Sequence, residues 1–588
     1  MRRFLSAIAI SLAAFGAATL AAQTHVPPKR SSQIQNGFGI NSDLPRLPYL
    51  PWDRWWWTRM FDAGVGWIRI GQYENSSEPT SWDWVERKRG VYAIAPEVDD
   101  YVNSLVENGV KVQVQLLYGN PMYTSRSGKK PDEITPEPGS FHNDDRSIDS
   151  IFWPPTTPTQ IAAFIRYVKW TVNHFRGRIH YYALWNEQDI GYWNPWGNPE
   201  EYGRLLAAFA PAVHETDPQA KVIYGGQADP NADWAKRALD SCKCASEIDI
   251  FAYHTYPGYG QNLNPESMDA GAYGAESPTK LRNLVSSYPG IRKNIEFWDD
   301  EFNSIPSWRG SDESVQSKYI PRGILYNHAV GVRTFVWLLT AGVDGNEFDD
   351  FGFIHGFRNL PDDFTPRPVF HALQNTNALF ADTKFDPQVQ IEASDVPALR
   401  RQGRVPFLHY GFRNKNGKAI VAYWMAAHSV PGGDFPPLVV NLTLKNTGIR
   451  NPVLIDVVSG EISPLSWKAG TTGTLQGLPV RDSVLAIADA TYCDWPVLPQ
   501  APSDLHAQRS GDTVALRWAL HDEEARTSKV AIERRAGNDN KWERIATEAA
   551  VAAFTDSKAP PAAVVCYRVR ALNDRGESAY SNIVRVQQ

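Results

Sequence analysis

The chain has 588 residues, 43% of them apolar, and a formal net charge of −6. That length exceeds one ordinary domain and can fill two or three cores. So small a charge excludes a large electrostatic field, and with it nucleic acid as a partner. The outlier is tryptophan, with twenty-one copies. Four cysteines are too few for a disulfide framework.

The amino terminus carries Arg2 and Arg3, then an apolar run from Phe4 to Ala22 that ends in small residues. This is the pattern of a signal peptide over residues 1–22, and it predicts a secreted or periplasmic protein. No later run is long and apolar enough to span a bilayer, so no transmembrane segment is expected after its removal. Gln23 to Ser32, polar and proline-containing, reads as a mobile lead-in.

From there the chain alternates strand-like and helix-like segments. The strand candidates are Gly37–Asn41, Trp67–Gln72, Val110–Leu117, Ile179–Glu187, Lys221–Gly225, Ile248–Tyr256, Asn294–Glu301 and Val332–Leu339. Between and after them come amphipathic stretches at Glu97–Asn108, Thr159–Phe175, Pro199–Glu215, Ala232–Asp240, Ser314–His328 and Pro366–Phe380. Eight such units predict an α/β fold, a (β/α)8 TIM barrel over residues 33–384. A doubly wound open sheet is the alternative, but its Gly-rich phosphate turn is missing. The dense Trp52, Trp55, Trp56 and Trp57 cluster reads as burial beneath the barrel. The long loop from Asn120 to Pro155 reads as an active-site wall.

Beyond Phe385 short alternating runs such as Ala419 to Trp424, split by turns like Asn416-Gly417, predict a β-sandwich over residues 385–495. A proline-rich hinge, Pro496 to Pro502, leads to a final module over residues 499–588. Cys493 at its entrance and Cys566 inside it could form a bridge across the hinge. Cys242 and Cys244 are spaced like a metal clip but lack a matching pair, which leaves a bridge or free thiols.

Candidate chemistry lies at the strand tips, where active sites of parallel barrels are built. The fourth strand candidate ends in Asn186-Glu187 and the seventh in Asp299-Asp300-Glu301. Strand alternation puts Asp299 and Glu301 on one face and Asp300 on the other. One Asn-Glu after a strand is ordinarily a capping loop, and one His is ordinarily structural. The case rests on several strand ends matching at once: Arg69 on the second strand, His254 and Tyr256 on the sixth, and Trp337 on the eighth. Two glutamates facing each other across ~5–5.5 Å are the parts of a retaining glycosidase, and that chemistry needs no metal or organic cofactor. In the loop after Glu187, Trp193 and Trp196, with Tyr192 beside them, are candidates for stacking on sugar.

Here the chain resembles the retaining glycoside hydrolases of clan A. The rhythm through Glu78-Pro79, Trp82-Asp83-Trp84 and Asp99-Asp100-Tyr101 is most similar to family 39. The resemblance implies a carbohydrate substrate, Glu187 as acid/base and Glu301 as nucleophile. It further implies that Asn186 holds the sugar 2-hydroxyl, that Arg69 and Tyr256 steady Glu301, and that Trp337 floors the first glycone subsite. The acid form of Glu187 calls for a pKa raised by its surroundings. Two departures stand out. Strand three ends in Tyr118-Gly119-Asn120-Pro121, where many clan members have a His, and Gln188-Asp189 follows the acid/base, where Pro is common. A non-catalytic sugar-binding barrel and a transglycosylase are the rival readings.

The final module resembles a fibronectin type III domain. The residues that carry this are Pro502, Leu505, Trp518, Ile532-Glu533-Arg534, Tyr567 to Asn573 and Gly576 to Ser578. This implies a spacer, or a unit that docks on a cell surface or glycan.

Overall fold

The computed structural model describes residues 24–587 apart from 43–55, 74–75, 127–146, 148–149, 258–262, 271–276, 340–349, 356–364, 398–404, 434, 437, 524, 538–540 and 562–563. The expected leader, Trp52 and Trp55 lie outside them, as does most of the expected active-site wall.

Eight parallel strands close a barrel: β1 Gly39–Asn41, β2 Trp67–Ile70, β3 Lys111–Leu116, β4 Tyr181–Leu184, β5 Lys221–Gln227, β6 Ile250–Thr255, β7 Glu296–Phe302 and β8 Val332–Val336. Each pairs with its neighbours in chain order and β1 pairs with β8. The outer helices are α1 Pro96–Glu107, α2 Pro158–His174, α3 Pro199–Thr216, α4 Ala232–Cys242, α5 Pro278–Ser287, α6 Glu313–Ala329 and α7 Pro368–Phe380. Their starts are written locally. Thr157 and Gln160 form a reciprocal cap on α2, while Asn198, Asn231 and Asp312 accept from the first-turn amides of α3, α4 and α6. Helix α5 is absent from the expected set. Its signals, Ser277-Pro278 and the buried pair Leu281 and Val285, sit in an otherwise polar stretch.

Inward positions of the strands fill the barrel in layers. At the amino-terminal end Trp67, Trp298 and Phe335 pack edge-to-face or tilted against one another, with Tyr181 alongside. The Arg333 guanidinium lies 4.5 Å over Trp67. Trp57 is buried outside the barrel between Phe61 and Tyr101.

The expected alternation on β7 does not hold. Opposite β6, Tyr253 pairs with Asp299 but His254 pairs with Glu301; opposite β8 the register also shifts, from Asp299 to Phe302. This bulge sets one extra residue in β7. As a result Asp300 follows Trp298 inward and Glu301 turns inward as well, while Asp299 points outward to Thr255 and Asn327.

Two antiparallel regions follow. The first has a six-stranded and a three-stranded sheet closing on Val421, Tyr423, Leu442, Leu478 and Ile487. The second has a three-stranded sheet (Ser503–Ser510, Thr513–Ala519, Ala553–Asp556) and a five-stranded sheet centred on Lys529–Ala536 and Val564–Asn573. Its core is Leu505, Leu516, Trp518, Ile532, Tyr567 and Val569.

Residues 24–33 are not a mobile lead-in. His25 forms a bridge with Glu461, Ile462 N–H donates to the Thr24 carbonyl, and buried Arg30 donates to the Leu498 carbonyl of the hinge. Backbone polar groups that find strand-like partners stay ordered whatever the local composition. The hinge is also held, since Gln33 donates to Pro496 and Asn573 to Val497. The final module is fastened to α1 of the barrel: Arg535 and Arg585 both reach the buried Asp100 carboxylate at 2.5 Å, and Arg568 reaches Glu107 at 2.6 Å. Cys242 is joined to Cys244, and Cys493 and Cys566 are buried free thiols, so the expected bridge across the hinge is not made. Cys566 faces Arg535 and the Gly537 carbonyl instead. No helix among the described residues is long and apolar enough to cross a membrane.

Candidate active site

The carboxyl-terminal end of the barrel gathers six of the nine expected site residues into one hydrogen-bonded group. Arg69, two positions beyond Trp67 on β2, is buried and radiates to five partners, His254 Nε2 at 3.4 Å among them. Its Nη1 lies 2.6 Å from Glu301 Oε1 and 3.0 Å from Asn41 Oδ1; Nη2 lies 2.5 Å from Asn186 Oδ1; Nε pairs with Asp300 Oδ2 at 3.1 Å. Tyr256 Oη donates to the other Glu301 oxygen at 2.8 Å. His254 Nδ1 stands 2.9 Å from Glu187 Oε1 and 3.5 Å from Glu301 Oε2. One ligand atom each of Glu187, His254 and Glu301 lies within 4.8 Å of the other two, so the two carboxylates face each other closely.

Glu187 reaches this place because β4 stops early. Trp185 and Glu187 adopt left-handed backbone conformations (φ 67° and 47°), and Glu187 N–H donates to the Gly226 carbonyl at the tip of β5. Such strain in non-glycine residues is held by surrounding contacts and is characteristic of functional positions. Asn186 Oδ1 accepts from both Arg69 and Gln115, while its buried Nδ2 has no hydrogen-bond partner. An amide N–H left unpaired inside a polar pocket is a donor in want of an acceptor.

The electrostatics follow from burial and neighbours. Burial pushes Glu301 above the ordinary carboxylate range, against the pull of His254 and Arg69; the Glu187 carboxylate adds to the rise and the Tyr256 hydroxyl opposes it. For His254, burial disfavours charge, but Glu301, Asp300 and Glu187 outweigh it and push the pKa up to about 10. Burial likewise works against ionised Asp300, yet Arg69 and His254 hold it below its usual value. Burial and the Glu301 charge drive Tyr256 far up, which keeps it a donor.

Among the described residues, Glu187, His254 and Glu301 are the one trio with metal-ligand spacing. The donor set does not suit a cation, since the Arg69 guanidinium already lies 2.6 Å from Glu301 and His254 is itself held in the charged form.

Three expected site residues stand apart from this group. Trp337 follows β8 with a cis peptide to Leu338 and is nearly buried beside Tyr256, Ile305 and Trp308. Trp196 is 60% exposed in the loop beyond Glu187. Trp193 offers no face to a ligand: it is wholly buried against Trp185 and Tyr202, with its indole N–H on Glu201. That loop folds its own small aromatic core, with Tyr192 stacked on Tyr118.

Asn41, Gln113, Gln115 and Asp300 belong to the site and lie outside the expected set. Gln113 and Gln115 carry a readable signal, because Lys111-Val-Gln-Val-Gln-Leu places two amides on one face of a strand that should be buried on both. Asn41 sits at the tip of β1 as Arg69 does on β2, and donates to the Asp300 and Val336 carbonyls.

No family model and no curated protein sequence matches the chain. Among solved structures it is similar to a family 39 glycoside hydrolase from Bacteroides cellulosilyticus WH2 (17% identity, TM-score 0.58), over 79% of this chain and 83% of that one. It is also similar to a bacterial orthologue of human α-L-iduronidase (14% identity, TM-score 0.48, 96% and 98% covered). A β-xylosidase from Caulobacter crescentus CB15 follows (14% identity, TM-score 0.47, 79% and 97% covered). At these identities the likeness to the first establishes the barrel fold and leaves the chemistry to the site itself.

Proposed function

We propose that the protein is an exported retaining glycoside hydrolase. The observation that carries this reading is the approach of Glu187 and Glu301, one carboxylate oxygen of each lying within 4.8 Å of the other at the barrel's carboxyl-terminal end. So close an approach favours the short carboxyl separation of retention, ~5–5.5 Å, over the ~6.5–9.5 Å that an inverting enzyme keeps for an intervening water.

Glu301, oriented by Arg69 and Tyr256 on its two oxygens, attacks the anomeric carbon. Glu187 gives its proton to the departing glycosidic oxygen, and a glycosyl ester forms on Glu301. Glu187, now a carboxylate, takes a proton from water as its oxygen bonds to the anomeric carbon; the bond to Glu301 breaks, Glu301 leaves as a carboxylate, and the sugar departs with its starting configuration. The unpaired Asn186 Nδ2 donates to the 2-hydroxyl of the glycone. Trp337 forms the floor beneath it, and Trp196, exposed in the loop beyond Glu187, offers a face to a further sugar. The Bacteroides neighbour is a family 39 glycoside hydrolase, and together with the motif resemblance it favours this class of reaction.

The leader over residues 1–22 makes the enzyme an exported one. The final module is read as fibronectin type III-like, in keeping with its three-stranded sheet facing a larger antiparallel one.

The test is reducing-end release by the mature protein from a panel of plant and bacterial polysaccharides and aryl glycosides, with Glu301→Gln as the blank. Hydrolysis lost in the variant is the expected result. Binding of a glycan by both proteins with no turnover by either would overturn the enzyme in favour of a sugar-binding barrel.

A further inference from the structure

Asp300 has no part in the two-glutamate scheme, yet it is wholly buried at the centre of the site. The bulge in β7 brings it inward directly before Glu301. Its Oδ2 accepts from Gln113 at 2.8 Å and pairs with Arg69 Nε at 3.1 Å, and its Oδ1 faces His254 Nε2 at 3.4 Å. The fifth strand leaves room for this arrangement. A Cβ on Gly226 would stand 2.1 Å from His254 Nε2 and 2.7 Å from Asp300 Oδ1, so only glycine fits there.

We propose that Asp300 is a positioning residue for both glutamates: through Arg69 it fixes Glu301, and through His254 it keeps one imidazolium shared between Glu187 and Glu301. This rests on the glycosidase reading and deepens it. With a proton on each ring nitrogen, His254 sets Nε2 at ion-pair distance from Asp300 Oδ1, 3.4 Å, and turns Nδ1–H to the two glutamates. Donation to Glu187 Oε1 leaves the proton of the acid on Oε2, free for the leaving oxygen. Once the ester forms, the Glu301 charge is gone and Glu187 has become the anion. The same Nδ1–H then serves Glu187, with only a small change of distance, since it already lies 2.9 Å from one carboxylate and 3.5 Å from the other.

The ionisable groups around His254 are Glu187 from the β4 tip, neutral while it holds the acid's proton, Asp300 and Glu301 from β7, and Arg69 from β2, whose Nη2 is 3.4 Å from Nε2. Gly226 contributes none, Tyr256 stays a neutral phenol, and Asp299 is turned outward to Thr255 and Asn327. Anions outnumber the one cation at the ring, which favours its charged form.

Removing the Asp300 charge takes away an anion. His254 then loses its proton at lower pH. In full-length Asp300→Asn the alkaline limb of the kcat/KM profile should therefore move acidward by about one unit, with a rate loss of roughly 10²-fold at the optimum. A profile that superimposes on wild type, at whatever rate, overturns the proposal. A second measurement needs neither substrate nor the variant: imidazole ¹⁵N spectra of histidine-labelled wild type, with the His254 signal assigned through His254→Gln. Two protonated ring nitrogens at pH 8 are expected, and a neutral ring at that pH overturns the inference. Because this arm is independent of turnover, its failure is distinguishable from failure of the glycosidase reading.

Discussion

Follow the barrel strands inward and the same backbone carries two opposite interiors. At the amino-terminal end the inward side chains are Trp67, Tyr181, Trp298 and Phe335. Two positions further along β2 and β7 they become Arg69 and Asp300, with His254 beside them on β6. The first layer is dry and aromatic, and it stabilises the closed barrel by burial and edge-to-face packing. The second sets buried Asp300 and Glu301 and the partly exposed Glu187 against one guanidinium and one imidazole, an arrangement that contributes little net stability because desolvation offsets pairing. The rigid plug thus supports a pocket that could not hold itself together.

This contrast can be broken at either end, and the sizes of the effects differ. In the polar layer, Glu301→Gln should lower kcat by about 10⁴-fold or more while unfolding at nearly the wild-type temperature, read by steady-state rates and calorimetry together. Loss of activity accompanied by an equal loss of folding would point to a structural glutamate. In the aromatic layer, Trp298→Ala should cost roughly 3–5 kcal/mol in urea denaturation, with the surviving folded fraction still active.

At the outer face of the barrel, the Asp100 carboxylate shared by Arg535 and Arg585 is a third test. Asp100→Ala removes the one anion that both guanidinium groups share, one of them buried, and leaves Arg585 the longer pair with Glu97 at 3.6 Å. A loss of about 3 kcal/mol and faster proteolytic cleavage within residues 496–502 are expected. An unchanged digestion pattern would show that the final module is held by other contacts. The smallest effect belongs to Trp196→Ala. That side chain is 60% exposed, so KM should rise several-fold, on the order of 1 kcal/mol, with kcat and stability unchanged.

How much of this could be read beforehand depends on the range of the interaction involved. Helix caps at Asn198, Asn231 and Asp312 act over three residues, and the helices they start lie within two residues of expectation. Asn186-Glu187 and Glu301 were legible because a strand tip and its polar residues are neighbours in the chain. Trp193 and Trp196 stand three residues apart in one loop with the same chemistry. Only the folded loop shows that one is core and the other is surface.

The sequence by itself determined the order of strands and helices, the two glutamates at strand tips, and the change to antiparallel sheets after Phe385. Each of these is set by periodicity and local propensity. Tertiary structure alone decided that β7 bulges and turns Asp300 inward, that residues 24–33 are strapped to the sandwich and hinge, and that the final module is fastened to α1. Register, distant ion pairs and backbone partners hundreds of residues away are settled by competition among all possible neighbours, and no short stretch of sequence contains that competition.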